Sequence, residues 1–452
     1  MKKLFFLILS GVLFLSLSSF KGTQHLQQAG QPEKKYKFVI KGGHVIDPRN
    51  RINEKMDIAI SYPTAPDEGY QQGTRDARIA LVAKNIDPGL GAQVIDATGL
   101  YVTPGLVDIH VHVFWGTDTV GGYRNGPQSL PPDGYTSRSG VTTIVDAGSS
   151  GWKTFEKFKS QTIDVSQPRV LAFLNIVGEG MAGGKYENNL DEMDVAKAVE
   201  YARKYPDHIV GIKLAHFSRR DWTPALRAEE AARQAGIPLM VDFGSANPAL
   251  SLDTLLNHVF RRGDIFTHCY GGSQATPEIR PGGRESLVNM KGEVKPFVWE
   301  ARKRGVIFDV GFGAASFSFA VGKPAAEASF FPNSISTDMH NHSAVMNNAM
   351  KNMPNIMGLF MALGMDLPAV INASTWEPAR IIQREELGHL SEGAVADVAI
   401  FNLRDGNFGF WTRDGRVEGT KRLETEMTIK GGEIIYNLNG RIDPVNLPQP
   451  RR

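Results

Sequence analysis

The rhythm of apolar and polar residues changes along the chain and returns near its end. From residue 37, short runs ("KFVIKGGHVID", "DIAI", "RIALVAK", "QVIDATGLYVTPG") are broken by Gly and Asp turns. This texture predicts a small antiparallel β unit. From residue 105 the runs become almost wholly apolar and end on a polar residue: "LVDIHVH", "TTIVDAG", "RVLAFLNIV", "IVGIKLAH", "PLMVDFG", "IFTHCYGG", "VIFDVGFG" and "SISTDMH". Runs of that kind are strands buried on both faces. Beyond residue 388 the first texture comes back in "ADVAIFNL" and "EMTIKGGEIIYNLNG". "VIKGG" and "TIKGG" are nearly one phrase at opposite ends of the chain, so both ends are expected to build one domain.

Helical patterns fill the intervals between the apolar strands. Thr223 is placed to cap a helix, with Pro224 at its first position and Gly236 just past its end. Leu252, Leu255, Leu256 and Val259 form an i, i+3, i+4, i+7 stripe. Eight strands alternating with helices over about 280 residues predict an α/β fold, a (β/α)8 TIM-type barrel. A doubly wound sheet is the alternative, and the polar residues on successive strand ends favour closure around one mouth. The expected boundaries are a first β part at 37–104, the barrel at 105–387 and a second β part at 388–440, the two parts forming one small composite β-sandwich. Residues 20–36 read as a flexible lead-in and 441–452 as a tail.

The N-terminus is a segment of another kind. Lys2 and Lys3 precede "LFFLILSGVLFLSL" and the small-residue stretch "SLSS", the make-up of a signal peptide over residues 1–19. The run is too short for the roughly 20 apolar residues of a membrane span. The expectation is export, to a periplasm, without a stable membrane anchor. The charge balance of 50 basic against 48 acidic residues leaves no basic surplus for nucleic acid. Partners are therefore expected to be a small-molecule substrate and a second copy of the chain. The single cysteine, Cys269, excludes an internal disulfide.

Candidate chemistry lies where the apolar strands end. His110 and His112 alternate with Ile109 and Val111, so on an extended strand both imidazoles point to one face. Lys213, Asp242, His268 and Asp338 close four later strands. Singly, such residues are satisfied core histidines, snorkelling lysines or turn caps. Six of them around one barrel mouth point to a metal site.

The order of these residues, with "DIHVH", "GVTTIVDAGSSGW", "GIKLAH", "DIFTHCYGG", "SISTDMH", "STWEPARII" and "GHLSEGAVADVAIFN", resembles the amidohydrolase superfamily over roughly residues 37 to 440. Within it the chain is similar to the dihydroorotase-like amidohydrolase/deacetylase branch. The resemblance implies two divalent ions, zinc in most members, bridged by hydroxide and by a carbamate that carbon dioxide forms on Lys213. His110, His112 and Asp338 are expected to hold one ion and His268 the other, with Asp338 as the catalytic proton shuttle.

Two departures stand out. The family pattern carries histidine on the fifth strand, where this chain has Asp242, expected to be a metal ligand in its place. Histidine is also expected on the seventh strand, where "DVGFG" has Phe312, implying a more apolar pocket. His216, Tyr270, Gly271 and His340 are the expected substrate contacts. The reading is an exported metal-dependent hydrolase of amides or acyl esters, most of all a deacetylase. The alternatives are a cyclic-amide hydrolase of dihydroorotase type, or a catalytically impaired barrel that binds a small molecule.

Overall fold

Two glycines bend the first strand, and the small domain is organised around that bend. The computed structural model describes residues 34–63, 76–242, 246, 249–272, 284–313, 315–345 and 352–442. The expected signal peptide, most of the lead-in and the tail beyond residue 442 lie outside the described residues. β1 (Tyr36–Asp47) pairs antiparallel with β2 (Ile52–Ile60) across a bulge between Ile40 and Gly43. Gly42 takes φ +74° there, a conformation that suits glycine. On its other edge β1 pairs parallel, first with β4 (Gly91–Asp96) and then with β5 (Tyr101–Pro104). β3 (Ile79–Ala83) extends the β2 side.

β13 (Val398–Thr412), β14 (Gly415–Lys430) and β15 (Glu433–Asn437) join β5 in the order β15-β14-β13-β5-β1-β2-β3. All eight strands hydrogen-bond into one mixed sheet. The parallel pairs of β1 correct the expectation of a purely antiparallel unit, and the two ends of the sheet meet where Ala77 N donates to the Gly431 carbonyl at 2.9 Å. The β13–β14 hairpin reaches further than the sequence pattern indicates. Its turn places Asp414 to accept from Ser318 Oγ (2.6 Å) and Phe319 N (3.1 Å), at the start of the helix Phe319–Glu327.

The second sheet is parallel and in chain order: β6 (Leu106–Val111), β7 (Val141–Gly151), β8 (Arg169–Asn175), β9 (Ile209–Leu214), β10 (Leu239–Val241), β11 (Ile265–Phe266) and β12 (Ile307–Phe308). The expected eighth strand is not a regular one. Its segment makes single parallel bridges, Ser334 to Asp309 beyond β12 and Met339 to Val111 in β6. Those two bridges join the last strand to the first, as a barrel requires. A cluster drawn from all seven strands, including Val107, Val145, Phe173, Met240 and Ile265, packs on the N-terminal side of the polar strand ends. The helix Thr223–Ala235 ends at Gly236 in the left-handed conformation, as expected. Thr223 is its first residue rather than its cap, because Asp221 accepts from both its N–H (2.9 Å) and its hydroxyl (2.7 Å). Among the described residues no helix is long and apolar enough to cross a membrane.

Candidate metal centre

Each imidazole at the barrel mouth is fixed from behind. His110 Nδ1 lies 2.7 Å from Thr267 Oγ1, whose hydroxyl donates to Asp309 Oδ2 at 2.8 Å. A hydroxyl that gives its one proton to a carboxylate can only accept from the ring. Nδ1 of His110 therefore carries the hydrogen and Nε2 keeps its lone pair. His112 Nδ1 lies 3.0 Å from Ser149 Oγ, and the Ser149 backbone N–H donates to Asp146 Oδ1 at 2.7 Å. For His268 the partner is the Gly311 carbonyl, 2.5 Å from Nδ1, which only accepts. His110 and His268 are thus held in the tautomer that presents Nε2.

The carboxylate of Asp338 faces these rings, Oδ1 lying 3.3 Å from His112 Nε2 and 3.6 Å from His110 Nε2. His110, His268 and Asp338 each bring a ligand atom to within 4.8 Å of the other two. All three are buried, as is His112. Burial opposes ionisation of Asp338, but His340, His110 and His112 outweigh it and hold the carboxyl well below the usual range. Burial keeps His110 and His112 neutral, well below and below the ordinary imidazole value respectively. Imidazole nitrogens of His110 and His268 and the carboxylate of Asp338, with His112 beside that carboxylate, are the chemistry of a zinc-type site, so these residues fit one divalent ion.

Local backbone conformation makes the convergence. His268 and Asp338 take φ +55° and +48°, left-handed values that turn the chain out of its strand directly at the ligand. Gly311, at φ +47°, lies between two ligands. A Cβ there would meet Thr267 Oγ1 at 2.5 Å and His268 Nδ1 at 2.7 Å, so only glycine fits. The same turn at His268 corrects two expected substrate contacts. Tyr270 is 1% exposed, donates its hydroxyl to the Phe330 carbonyl (2.8 Å) and packs on Phe317 and Phe360. The Gly271 amide is taken by the His268 carbonyl at 2.9 Å. Phe312 also misses the pocket, stacking on Phe317 with ring centroids 5.4 Å apart. The apolar pocket expected from it is therefore not formed by this residue.

The remaining expected residues line one cavity of about 370 Å³: His110, His112, Lys213, His216, Asp242, His268, Asp338, His340 and also His342. Lys213 is 1% exposed, and its Nζ makes no hydrogen bond among the described residues. Burial pushes its ammonium below the ordinary lysine value, against the pull of Asp242, Asp338 and Asp309. Gly148 makes room for it, since a Cβ there would stand 2.6 Å from Lys213 Cγ.

Three pocket residues carried no signal in the sequence. Tyr123, from the loop after β6, lies over His112 with ring centroids 4.5 Å apart. Arg284 forms an ion pair with Asp242. Buried Glu187 stands 3.2 Å from Nδ1 of His216, whose Nε2 is 3.4 Å from Asp242 Oδ2. Burial opposes it, but these two carboxylates raise the His216 pKa. Tyr123 and Arg284 lie in loops and Glu187 ends a single-turn helix (Gly184–Glu187), where periodicity gives no address.

A parallel barrel with a metal-ready cluster at the C-terminal ends of its strands defines a class, the metal-dependent barrel hydrolases. Residues 319–435 match the model of the amidohydrolase family. A deacetylase from Brucella anthropi is 31% identical over 369 residues, 80% of this chain and 86% of its own length. A deacetylase from Enterococcus faecalis is 29% identical over 409 residues, 89% of this chain and all of its own. Among solved structures, an adenine deaminase superposes with a TM-score of 0.75 at 26% identity, covering 89% of this chain and 100% of that one. A dihydroorotase gives 0.72 at 27%, covering 88% and 97%. The chain belongs to the amidohydrolase family and is a hydrolase acting on C–N bonds.

Proposed function

We propose that this hydrolase removes acetyl or similar short acyl groups from a small molecule, using a divalent ion held by His110, His112, His268 and Asp338. The observation that carries the reading is the convergence of three imidazoles, two of them held with Nε2 forward, on a carboxylate kept ionised in a buried site. The deacetylases of Brucella anthropi and Enterococcus faecalis, similar over most of the chain, support the acyl substrate.

A divalent ion there, zinc by the donor set, supplies Lewis acidity towards the acyl carbonyl and towards water. The chain's own residues do the rest. Asp338 takes the proton of the attacking water as the new C–O bond forms. It then delivers that proton to the leaving nitrogen as the C–N bond breaks. Burial lowers the Lys213 pKa and so favours the neutral amine that adds to carbon dioxide, giving a carbamate and releasing one proton to solvent. Tyr123, His216 and His340 line the cavity on the substrate side. Export through the N-terminal segment belongs to the same reading, as does an acylated small molecule as the substrate met there.

The test is acetate release from a panel of N-acetyl and O-acetyl compounds, wild type against Asp338→Asn. Asparagine keeps an oxygen near the ligands but cannot accept the proton. Turnover is expected to fall by about 100- to 10,000-fold while most bound metal remains. An Asn variant of near-normal activity would remove Asp338 from the proton path. Turnover confined to cyclic amides would favour the dihydroorotase-type reading.

A further inference from the structure

The fifth-strand position, where the family resemblance leads one to expect a second ion's ligand, is already neutralised by the protein. Asp242 is 5% exposed and gives Oδ1 to Arg284 Nη2. Its other oxygen, Oδ2, faces Nε2 of both His216 (3.4 Å) and His268 (3.5 Å). The guanidinium is built in rather than passing by. It packs over Gly271, where a Cβ would come within 3.2 Å of Nη1, and it lines the same cavity as the ligands. His268, which a second ion would need, also belongs to the buried group with His110 and Asp338. Among the described residues the donors on this side are Asp242 and His216, with His268 and a Lys213 carbamate shared with the first ion, and Asp242 is already paired with a cation that never deprotonates. A dication entering there would have to displace Arg284 from its carboxylate or sit against its charge.

We propose that this centre takes a single divalent ion, at His110, His112, His268 and Asp338, and that the Asp242–Arg284 pair stands where a two-metal centre would place the second. The proposal rests on the metal-dependent reading above and changes its stoichiometry. A fixed guanidinium supplies the positive charge on that side of the cavity, and the fifth-strand carboxylate is kept as its counter-ion. This accounts for the aspartate that stands in place of histidine on the fifth strand.

The full chain, stripped of metal, is reloaded with excess zinc in bicarbonate buffer, freed of unbound ion and counted by mass spectrometry. Wild type is expected to hold one ion per chain. The Asp242→His/Arg284→Met double variant, which restores an imidazole and removes the cation, is expected to hold two. Two ions in wild type overturn the proposal, and so does a double variant of native thermal melting that stays at one. If the double variant does not fold, the wild-type count decides alone. The count needs no substrate. Two ions in an active enzyme defeat this proposal and leave the hydrolase standing, whereas no ion at all defeats both.

Discussion

At the scale of single residues, the hydroxyl behind His110 decides which nitrogen that ring offers to a metal. Thr267 stands between His110 and Asp309, and its one proton sets the tautomer of the ring. Thr267→Val keeps the shape and removes the relay, so His110 is free to protonate on either nitrogen. Zinc affinity is expected to fall by about 10- to 100-fold, read by competition with a coloured chelator; an unchanged affinity would show that the hydroxyl does not orient the ring. The ligands themselves were legible in the sequence because each closes an apolar strand, and strand ends of a barrel share one mouth. Their supporters were not legible. Thr267, Ser149 and Asp309 are ordinary residues inside apolar runs, and only their distances give them a role. Tyr270 was misplaced for the same kind of reason: a left-handed turn at His268 sends it into the core, and no residue pattern announces that turn.

Among the elements, β1 carries the sharpest local requirement. Its bulge is pinned by buried Asp57, which accepts from Gly42 N (2.8 Å), from Ile86 N (2.9 Å) and from the Lys41 ammonium. Burial opposes ionisation, but these donors prevail and hold the Asp57 carboxyl below its ordinary value. A carboxyl depressed in the folded state stabilises the fold above its unfolded pKa, and that contribution disappears as pH falls through the folded value. Asp57→Ala is expected to cost about 2 kcal/mol at pH 7, with the gap to wild type closing in strong acid. Urea midpoints at both pH values measure it, and a gap independent of pH would contradict the ionised role. The bulge was hinted at by "KGG". The long β13–β14 hairpin was not, because its outer half ("RDGNFGFWTRDGRVEGTKR") is polar and glycine-rich and buries little of itself. The irregular segment 334–340 escaped for the opposite reason. Its apolar run reads as a strand, yet it makes only single bridges while bending to present Asp338.

Over the whole molecule, the sheet and the barrel share one buried ionic joint. Arg169, the first residue of β8, donates to Asp397 Oδ2 at 2.7 Å and Asp76 Oδ2 at 3.1 Å, and Asp397 also accepts from Gly431 N at 2.7 Å. The joint ties a barrel strand to both chain ends and lies at the opposite end of β8 from the metal cluster. Arg169→Ala leaves the more distant Lys430 ammonium, 4.0 Å from Asp76, to face the two carboxylates. It is expected to lower stability by about 3 kcal/mol, seen as a lower denaturation midpoint, with the acetate-release rate per folded molecule unchanged at room temperature. A variant as stable as wild type would show that the joint contributes nothing net. The paired phrases "VIKGG" and "TIKGG" indicated that both ends meet in one domain; the ion triad that fastens them joins residues far apart in the chain, beyond any spacing rule.

If the cluster at the barrel mouth makes this chain a metal-dependent deacylating hydrolase, its turnover depends on the metal. The direct test is acetate release by the purified enzyme on its best acetylated substrate, before chelation, after chelation and after zinc is returned. Turnover is expected to be lost with the metal and to recover when zinc is restored. Acetate release that survives complete removal of the metal would contradict that dependence.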